Sequence, residues 1–445
     1  MTQIASFQTL SQSQRKSLLE RDRDCIWHPF TQVGRSPTLI SVLAARGAAL
    51  YLDGERTVVD GISSWWCNLH GHGEPSIAHA IAEQVSILDH VLFGGCTHEP
   101  AVQLAERLLP LLPPNQGKVF YSDNGSTATE VAIKISIQRW RNKGQKRNKI
   151  IALEGAYHGD TFGAMSVSGR GIFSAPFNDH LLAVEHLPVH GDEKALARAI
   201  TKLESLCQSG EVAAFIFEPL VQGAGGFVMY NHQILERYLD VCTRYEVLTI
   251  ADEVMTGFGR TGPLFVSNTL TNPPDMICLS KGLTGGTLPL AVTTCTNELF
   301  NDFISPDHSK TFFHGHTYTA NPIACAAALA SLTLTVSERC TNQREEIANC
   351  HQEFISQNRQ LLKNTDARAL GTILALEIPT ESKEQSERGG YTDPIGERVA
   401  RFCIDRGVLL RPLGATLYVM PPYCIQEDEL SKIYSVICEL LRTLS

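Results

Sequence analysis

The sequence predicts an α/β protein whose large domain holds a mostly parallel central sheet, with a smaller α+β domain beside it. Three observations carry the prediction. Between residues 115 and 296, short apolar runs of β type alternate with helical patterns. Beyond Asn321-Pro322 the pattern changes to a long helical region followed by a few short strands. The composition, 43% hydrophobic and 19% charged over 445 residues, is enough for a large buried core.

The first residues, MTQIASFQTLSQSQRKSLLERDRD, are polar and lack the apolar stretch of a secretory signal, so a cytoplasmic protein is expected. AALYLD and TVVDG are β-type pieces too few to form a core alone, and residues 1–70 are expected to pack with the C-terminal unit. KVFY (118–121), KIIAL (149–153), VAAFIF (212–217), VLTIA (247–251), MICLS (276–280) and LAVTTC (290–295) follow. Each has little polar alternation and is followed by Gly, Asp, Asn or Pro, as strands buried on both faces would be. They define a large domain over 71–328.

IACAAALASLTLTV (323–336) is too short to span a bilayer and is rich in small helix formers, so it reads as a buried helix and no membrane partner is expected. It opens a helical region over roughly 323–364. LGTILALEI (370–378), a polar stretch at 379–394, and a hairpin-like pair, GVLLRP and TLYVMPP around Leu413-Gly414, complete a small α+β domain over 329–445.

The formal charge of −9 comes from 38 basic and 47 acidic residues, and the basic run RNKGQKRNK (141–149) reads as a solvated loop. Nucleic acid is therefore not an expected partner. Thirteen cysteines lie scattered without CxxC pairs and are expected to be reduced thiols. The pairs His70/His72 and His314/His316 have H-x-H spacing, but no HExxH or cysteine partner accompanies them, so no metal is expected.

Gly257-x-Gly259-x-x-Gly262 follows an apolar run, which on paper is a dinucleotide fingerprint. The context excludes it. Asp252 to Thr256 separate the run from the glycines, and the next strand is followed by Ser280-Lys281 where a ribose-binding acid would be needed. What remains is Asp252 and Lys281, each closing a buried strand at the edge where open α/β sheets bind ligands. An ion pair or two solvated residues would be the bland reading of such a pair. The chemical reading is pyridoxal phosphate: a lysine forms a Schiff base with its aldehyde, and a carboxylate keeps the pyridine nitrogen protonated. YSDNGSTATEVAIKISIQRW (121–140) supplies a strand, a small turn and a helix for the phosphate. There Gly125 permits close approach, Ser126 offers a hydroxyl, and the helix N-terminus carries the positive dipole end.

IADEVMTGFGRTG and LSKGLTGG resemble the pyridine-binding and lysine segments of the class III pyridoxal-phosphate aminotransferases of fold type I, and the likeness extends over essentially the whole chain. SSWWCNLHGHG (63–73), HVLFGGCTHEPA (90–101), AYHGDTFGAMSV (156–167), EPLVQGAGG (218–226), KTFFHGHTYTANP (310–322) and RPLGATLYVMPPY (411–423) are most similar to the branch that serves biotin synthesis. The resemblance implies transamination of 8-amino-7-oxononanoate to 7,8-diaminononanoate, with Lys281 as the proton-transferring base. It implies Tyr157 over the cofactor ring, Asp160 in the same loop and Glu218 near the cofactor. It also implies Gly125 and Ser126 at the phosphate, joined by Gly315, His316 and Thr317 from the other subunit of a homodimer. Trp65 and Tyr418 would line the substrate pocket, and Arg411 would bind the substrate carboxylate.

For the amino donor, two residues depart from the pattern of the adenosylmethionine-using members: Phe30 in WHPFT, where tyrosine is usual, and His316, where proline is usual. Both departures resemble lysine-using members, while Trp65 agrees with the adenosylmethionine users. S-adenosylmethionine is the expected donor and lysine the alternative. An omega-amino-acid aminotransferase, an aminomutase, or a scaffold of this fold without activity are the competing readings.

Overall fold

The computed structural model describes residues 17–33, 39–379 and 394–444. Seven strands form the central sheet, in the order Gln116–Ser122, Ala291–Thr296, Met276–Leu279, Leu248–Asp252, Val212–Phe217, Lys149–Leu153 and Val184–Leu187. Ala291–Thr296 runs against both its neighbours, and the pairings from Met276–Leu279 out to Val184–Leu187 are all parallel. All six expected apolar runs are present. The seventh strand, Val184–Leu187, is absent from the expected runs because an edge strand needs no continuous apolar sequence, and it carries Glu185 and His186.

Alternate residues of the inner strands meet different layers, as a period of two requires. Phe215 and Phe217 share a core with Leu203 of helix Glu193–Gln208 and Leu239 of helix His232–Arg244. Ala214 and Ile216 share another with Ala132 and Ile135 of helix Gly125–Asn142. With both faces covered, Val212–Phe217 is buried at every position.

Val42–Arg46, Ala49–Leu52 and Thr57–Asp60 form an antiparallel meander, which Val408–Leu409 extends in parallel alongside Thr57–Asp60. This pairing corrects the expected hairpin near Leu413-Gly414. Thr416–Val419 instead pairs with Ile373–Glu377, which pairs with Ala367–Leu370, and a single bridge from Leu413 to Thr416 is what remains of the hairpin. Pro412 has no N–H to continue the first strand, and both true partners are distant in sequence.

The helical region expected over 323–364 is two helices, Pro322–Thr335 and Glu338–Gln357, bent by 68°. Ser337 makes the break by capping the second helix, its Oγ accepting the Cys340 N–H at 3.2 Å. Pro322–Thr335 is largely buried, and among the described residues no single helix is long and apolar enough to cross a membrane. The polar segment before residue 26 holds a helix the sequence reading did not expect, Leu18–Cys25, started by a Ser17/Glu20 capping box. Of the polar stretch 379–394, residues 380–393 lie outside the described residues.

Candidate active site

Strands Leu248–Asp252 and Met276–Leu279 are parallel neighbours, with Asp252 in register with Cys278. Their shared direction brings Asp252 and Lys281 to the same edge of the sheet. After Leu279 the chain is turned by Ser280, whose Oγ donates to the Leu290 carbonyl at 2.9 Å, and Lys281 takes a left-handed φ of 35°. Such backbone costs about 1–3 kcal/mol and gathers at functional sites. Helix Gly125–Asn142 starts beside them, with Asn124 Oδ1 accepting the Thr127 N–H at 3.0 Å. A cavity of about 460 Å³ lies between these elements, walled also by Trp66, Tyr157, His158 and Glu218. That volume is in the range of small-molecule sites.

Two carboxylates are held at fixed positions. Asp252 Oδ2 is 2.7 Å from His158 Nδ1, and its Oδ1 accepts the Val254 N–H at 3.1 Å. Glu218 accepts the Tyr157 N–H at 2.8 Å and the Gly223 N–H at 2.9 Å. Burial, with the Asp252 charge adding to it, pushes the Glu218 carboxyl up to about 7 against the opposing pull of His158. Burial also holds the Lys281 amine below the usual lysine range, although Asp252 and Glu218 favour its charge. Its Nζ stands 5.1 Å from the centre of the Trp66 ring. Burial and the neighbouring Asp160 raise the Tyr157 phenol.

The donor set fits a phosphorylated pyridine aldehyde. An amine biased towards its neutral form, a fixed carboxylate and a helix N-terminus with free N–H groups share one cavity. Glycines keep the helix end accessible. A Cβ on Gly125 would stand 2.7 Å from Val254 Cγ1, and one on Gly159, whose φ is 128°, would stand 2.0 Å from Ser126 Oγ. The buried Nε2 of His158 and Nε1 of Trp66 have no hydrogen-bond partner among the described residues.

The SSWW segment is shaped by Asp60, whose carboxylate accepts N–H groups from Ile62 (3.1 Å) and Ser64 (2.7 Å). Ser63, Ser64 and Trp66 all take positive φ there. The turn sends the two indoles apart. Trp66 enters the cavity wall, whereas Trp65 receives the Arg411 guanidinium over its ring at 4.3 Å and the Phe30 ring at 5.7 Å. Phe30, Trp65 and Arg411, widely separated in sequence, are thus brought together.

Tyr418 lies deeper than the cavity wall. It is 1% exposed and packs against Phe227 (4.3 Å) and Trp66 (5.9 Å), so it stands behind Trp66 in the core and not in the cavity wall. The reason is that Thr416–Val419 is covered on both faces.

Gly315, His316 and Thr317 also lie away from this chain's cavity. His316 folds onto its own turn, its N–H donating to Thr319 Oγ1 at 3.1 Å, and Thr317 is exposed between Phe313 and Tyr318, which are 74% and 62% exposed.

The paired histidines diverge: His70 Nε2 meets the Ser331 and Thr335 hydroxyls, while His72 meets Asp60 and Asn68. The glycines of GFGRTG stand outside the cavity wall. Gly259 makes room for Arg344, and Arg260 braces the SSWW turn through Ser63 Oγ (2.8 Å) and the Pro421 carbonyl (2.7 Å). Sequence reading missed His158 and Trp66. Each adjoins a residue it had chosen: His158 shares the cavity wall with Tyr157, whereas Trp66 takes it in place of Trp65, which only tertiary packing shows.

Residues 30–441 match the family model described as aminotransferase class-III. The chain is 48% identical to the adenosylmethionine-8-amino-7-oxononanoate aminotransferase of Synechococcus elongatus, over 94% of this chain and 98% of that protein. Its fold superposes on the crystal structure of the enzyme of the same name from Methanocaldococcus jannaschii with a TM-score of 0.87 at 35% identity, covering 96% and 99% of the two chains. It also resembles an amine transaminase from an uncultivated Pseudomonas species in its PLP-bound form, with a TM-score of 0.85 at 29% identity over 94% and 99% of the chains.

Proposed function

The chain belongs to the class-III aminotransferases, and from that premise we propose that it transfers an amino group to the ketone of 8-amino-7-oxononanoate, giving 7,8-diaminononanoate for biotin synthesis. Its cofactor is pyridoxal phosphate. The observation that carries the reading is Asp252 at the end of one strand and Lys281 just beyond the end of its parallel neighbour, both beside the Ser126 helix end. S-adenosylmethionine is the proposed donor. The names of the relatives and Trp65 support it, and the hydroxyl missing at Phe30 removes one hydrogen bond of about 1 kcal/mol without forbidding the donor.

When bound, pyridoxal phosphate carries the amine between two half-reactions and takes up the electrons released at the substrate carbon. Lys281 Nζ, biased towards neutrality by burial, removes the proton from the donor carbon and returns one in the acceptor half. Asp252 would keep a proton on the pyridine nitrogen, and His158 and the Val254 N–H fix its two oxygens for that task. The Gly125 and Ser126 backbone and the Ser126 hydroxyl would hold the phosphate. Tyr157, whose N–H donates to Glu218 and whose phenol neighbours Asp160, would shield the ring. Arg411 binds the carboxylate of 8-amino-7-oxononanoate, with Trp65 and Phe30 against its chain.

Two copies share each site in this reading, residues 315–317 of one reaching the other's phosphate; the exposed Phe313, Thr317 and Tyr318 support it. A division at residues 70 and 328 is proposed with it, supported by the sheet that Thr57–Asp60 shares with Val408–Leu409. Thirteen free thiols fit a reducing, cytoplasmic setting. The test is incubation of the cofactor-loaded protein with 8-amino-7-oxononanoate and either adenosylmethionine or lysine, in wild type and Phe30→Tyr, with 7,8-diaminononanoate measured by mass. Diamine from adenosylmethionine is expected. Diamine from lysine alone would overturn the donor, and none from either would overturn the reaction.

A further inference from the structure

Phe30 has a second aromatic neighbour besides Trp65: the Phe173 ring stands 5.8 Å away at 81°, edge to face. Trp65 stands 5.7 Å from Phe30 at 65°. Three rings from three distant segments therefore make one continuous aromatic surface beside Arg411. Phe173 is carried by a braced turn. Ser174 Oγ accepts the Gly171 N–H at 3.1 Å, and the Ser174 and Ala175 N–H groups both donate to the Gly171 carbonyl. The turn is tied to the cavity wall: the Gly169 N–H donates to the Ala156 carbonyl at 2.7 Å, and Ser168 Oγ accepts the His158 N–H at 2.9 Å.

We infer that Phe173 is a specificity-determining residue for the amino donor, completing with Phe30 and Trp65 an aromatic surface that favours an alkylated sulfonium over a primary ammonium. The inference rests on the transaminase reading and deepens it. Two phenyl rings offer no hydrogen-bond acceptor. An ammonium has three N–H donors and a tight hydration shell, which it would lose against such rings without replacement. A sulfonium has no N–H to satisfy, and its charge is spread over carbons that contact aromatic rings favourably. Arg411 already lies over the Trp65 ring, which assigns the donor's charge to the phenylalanine side of the surface.

The experiment is ligand titration of the cofactor-loaded protein after borohydride reduction, which blocks turnover, followed by quenching of tryptophan fluorescence, in wild type, Phe173→Leu and Phe173→Tyr. S-adenosylmethionine is compared with S-adenosylhomocysteine, which lacks the charge and one methyl group; lysine supplies the primary-ammonium comparison, and 8-amino-7-oxononanoate is the control. Wild type should prefer the sulfonium by about tenfold. Phe173→Leu should reduce that preference to about twofold with the acceptor's affinity little changed, and Phe173→Tyr, which keeps the ring, should retain it. An undiminished preference in Phe173→Leu, or equal losses for donor and acceptor, would overturn the assignment. So would a wild type that does not distinguish the two ligands. Because binding is read without turnover, absence of diamine in the assay above overturns the transamination reading separately.

Discussion

Replacing His158 tests whether the Asp252 carboxylate works alone. Its Nδ1 lies 2.7 Å from Asp252 Oδ2, and the two side chains are 0% and 6% exposed, so water cannot take the place of the ring without a cavity opening. A hydrogen bond to a charged group contributes about 1.5–3 kcal/mol, and each 1.4 kcal/mol is tenfold in a binding constant. If that bond orients Asp252 towards the cofactor, His158→Ala should weaken pyridoxal phosphate binding about ten- to hundredfold. The assay is titration of the apoprotein with cofactor, followed by the absorbance of the bound form. His158→Gln, which restores an N–H donor of similar reach, should recover part of the loss. A dissociation constant within twofold of wild type in His158→Ala would refute the reasoning, as would equal losses in both variants.

Arg411→Ala should raise the Michaelis constant for 8-amino-7-oxononanoate about ten- to hundredfold, since the carboxylate loses its charge-assisted hydrogen bonds; steady-state kinetics with varied acceptor checks this. Gly159→Ala combines a φ of 128° with a Cβ 2.0 Å from Ser126 Oγ, so it should displace Ser126 and weaken cofactor binding at least about tenfold in the same titration. His351 donates from Nε2 to the Thr372 carbonyl and accepts the Tyr434 hydroxyl at Nδ1, and burial lowers it to about 4. The unfolded chain binds that proton near pH 6.5, so the stability held above pH 6.5 is lost as pH falls towards 4, by about 2 kcal/mol between pH 7.5 and 5.0. Urea unfolding at the two pH values should show a smaller drop in His351→Gln than in wild type.

The parts of this protein that a single segment specifies were legible in its sequence. A strand covered on both faces must be an unbroken apolar run, so VAAFIF and MICL announce themselves, and the residues that end such runs, Asp252 and Lys281, fall at the ligand edge by the geometry of parallel sheets. The small-polar turn before helix Gly125–Asn142 is equally local. Tertiary structure decided which segments meet. Val408–Leu409 joins Thr57–Asp60 across the length of the chain and leaves its supposed hairpin partner to another sheet. Trp66 takes the cavity wall and Trp65 the Arg411 side because the Asp60 carboxylate turns the backbone between them. Tyr418 is drawn behind Trp66 by layers packed on both faces of its strand, and His158 reaches Asp252 from a loop 94 residues away in sequence. None of these partners leaves a periodic trace, because the free energy that selects them comes from desolvation and hydrogen bonding between surfaces that exist only after the chain has folded.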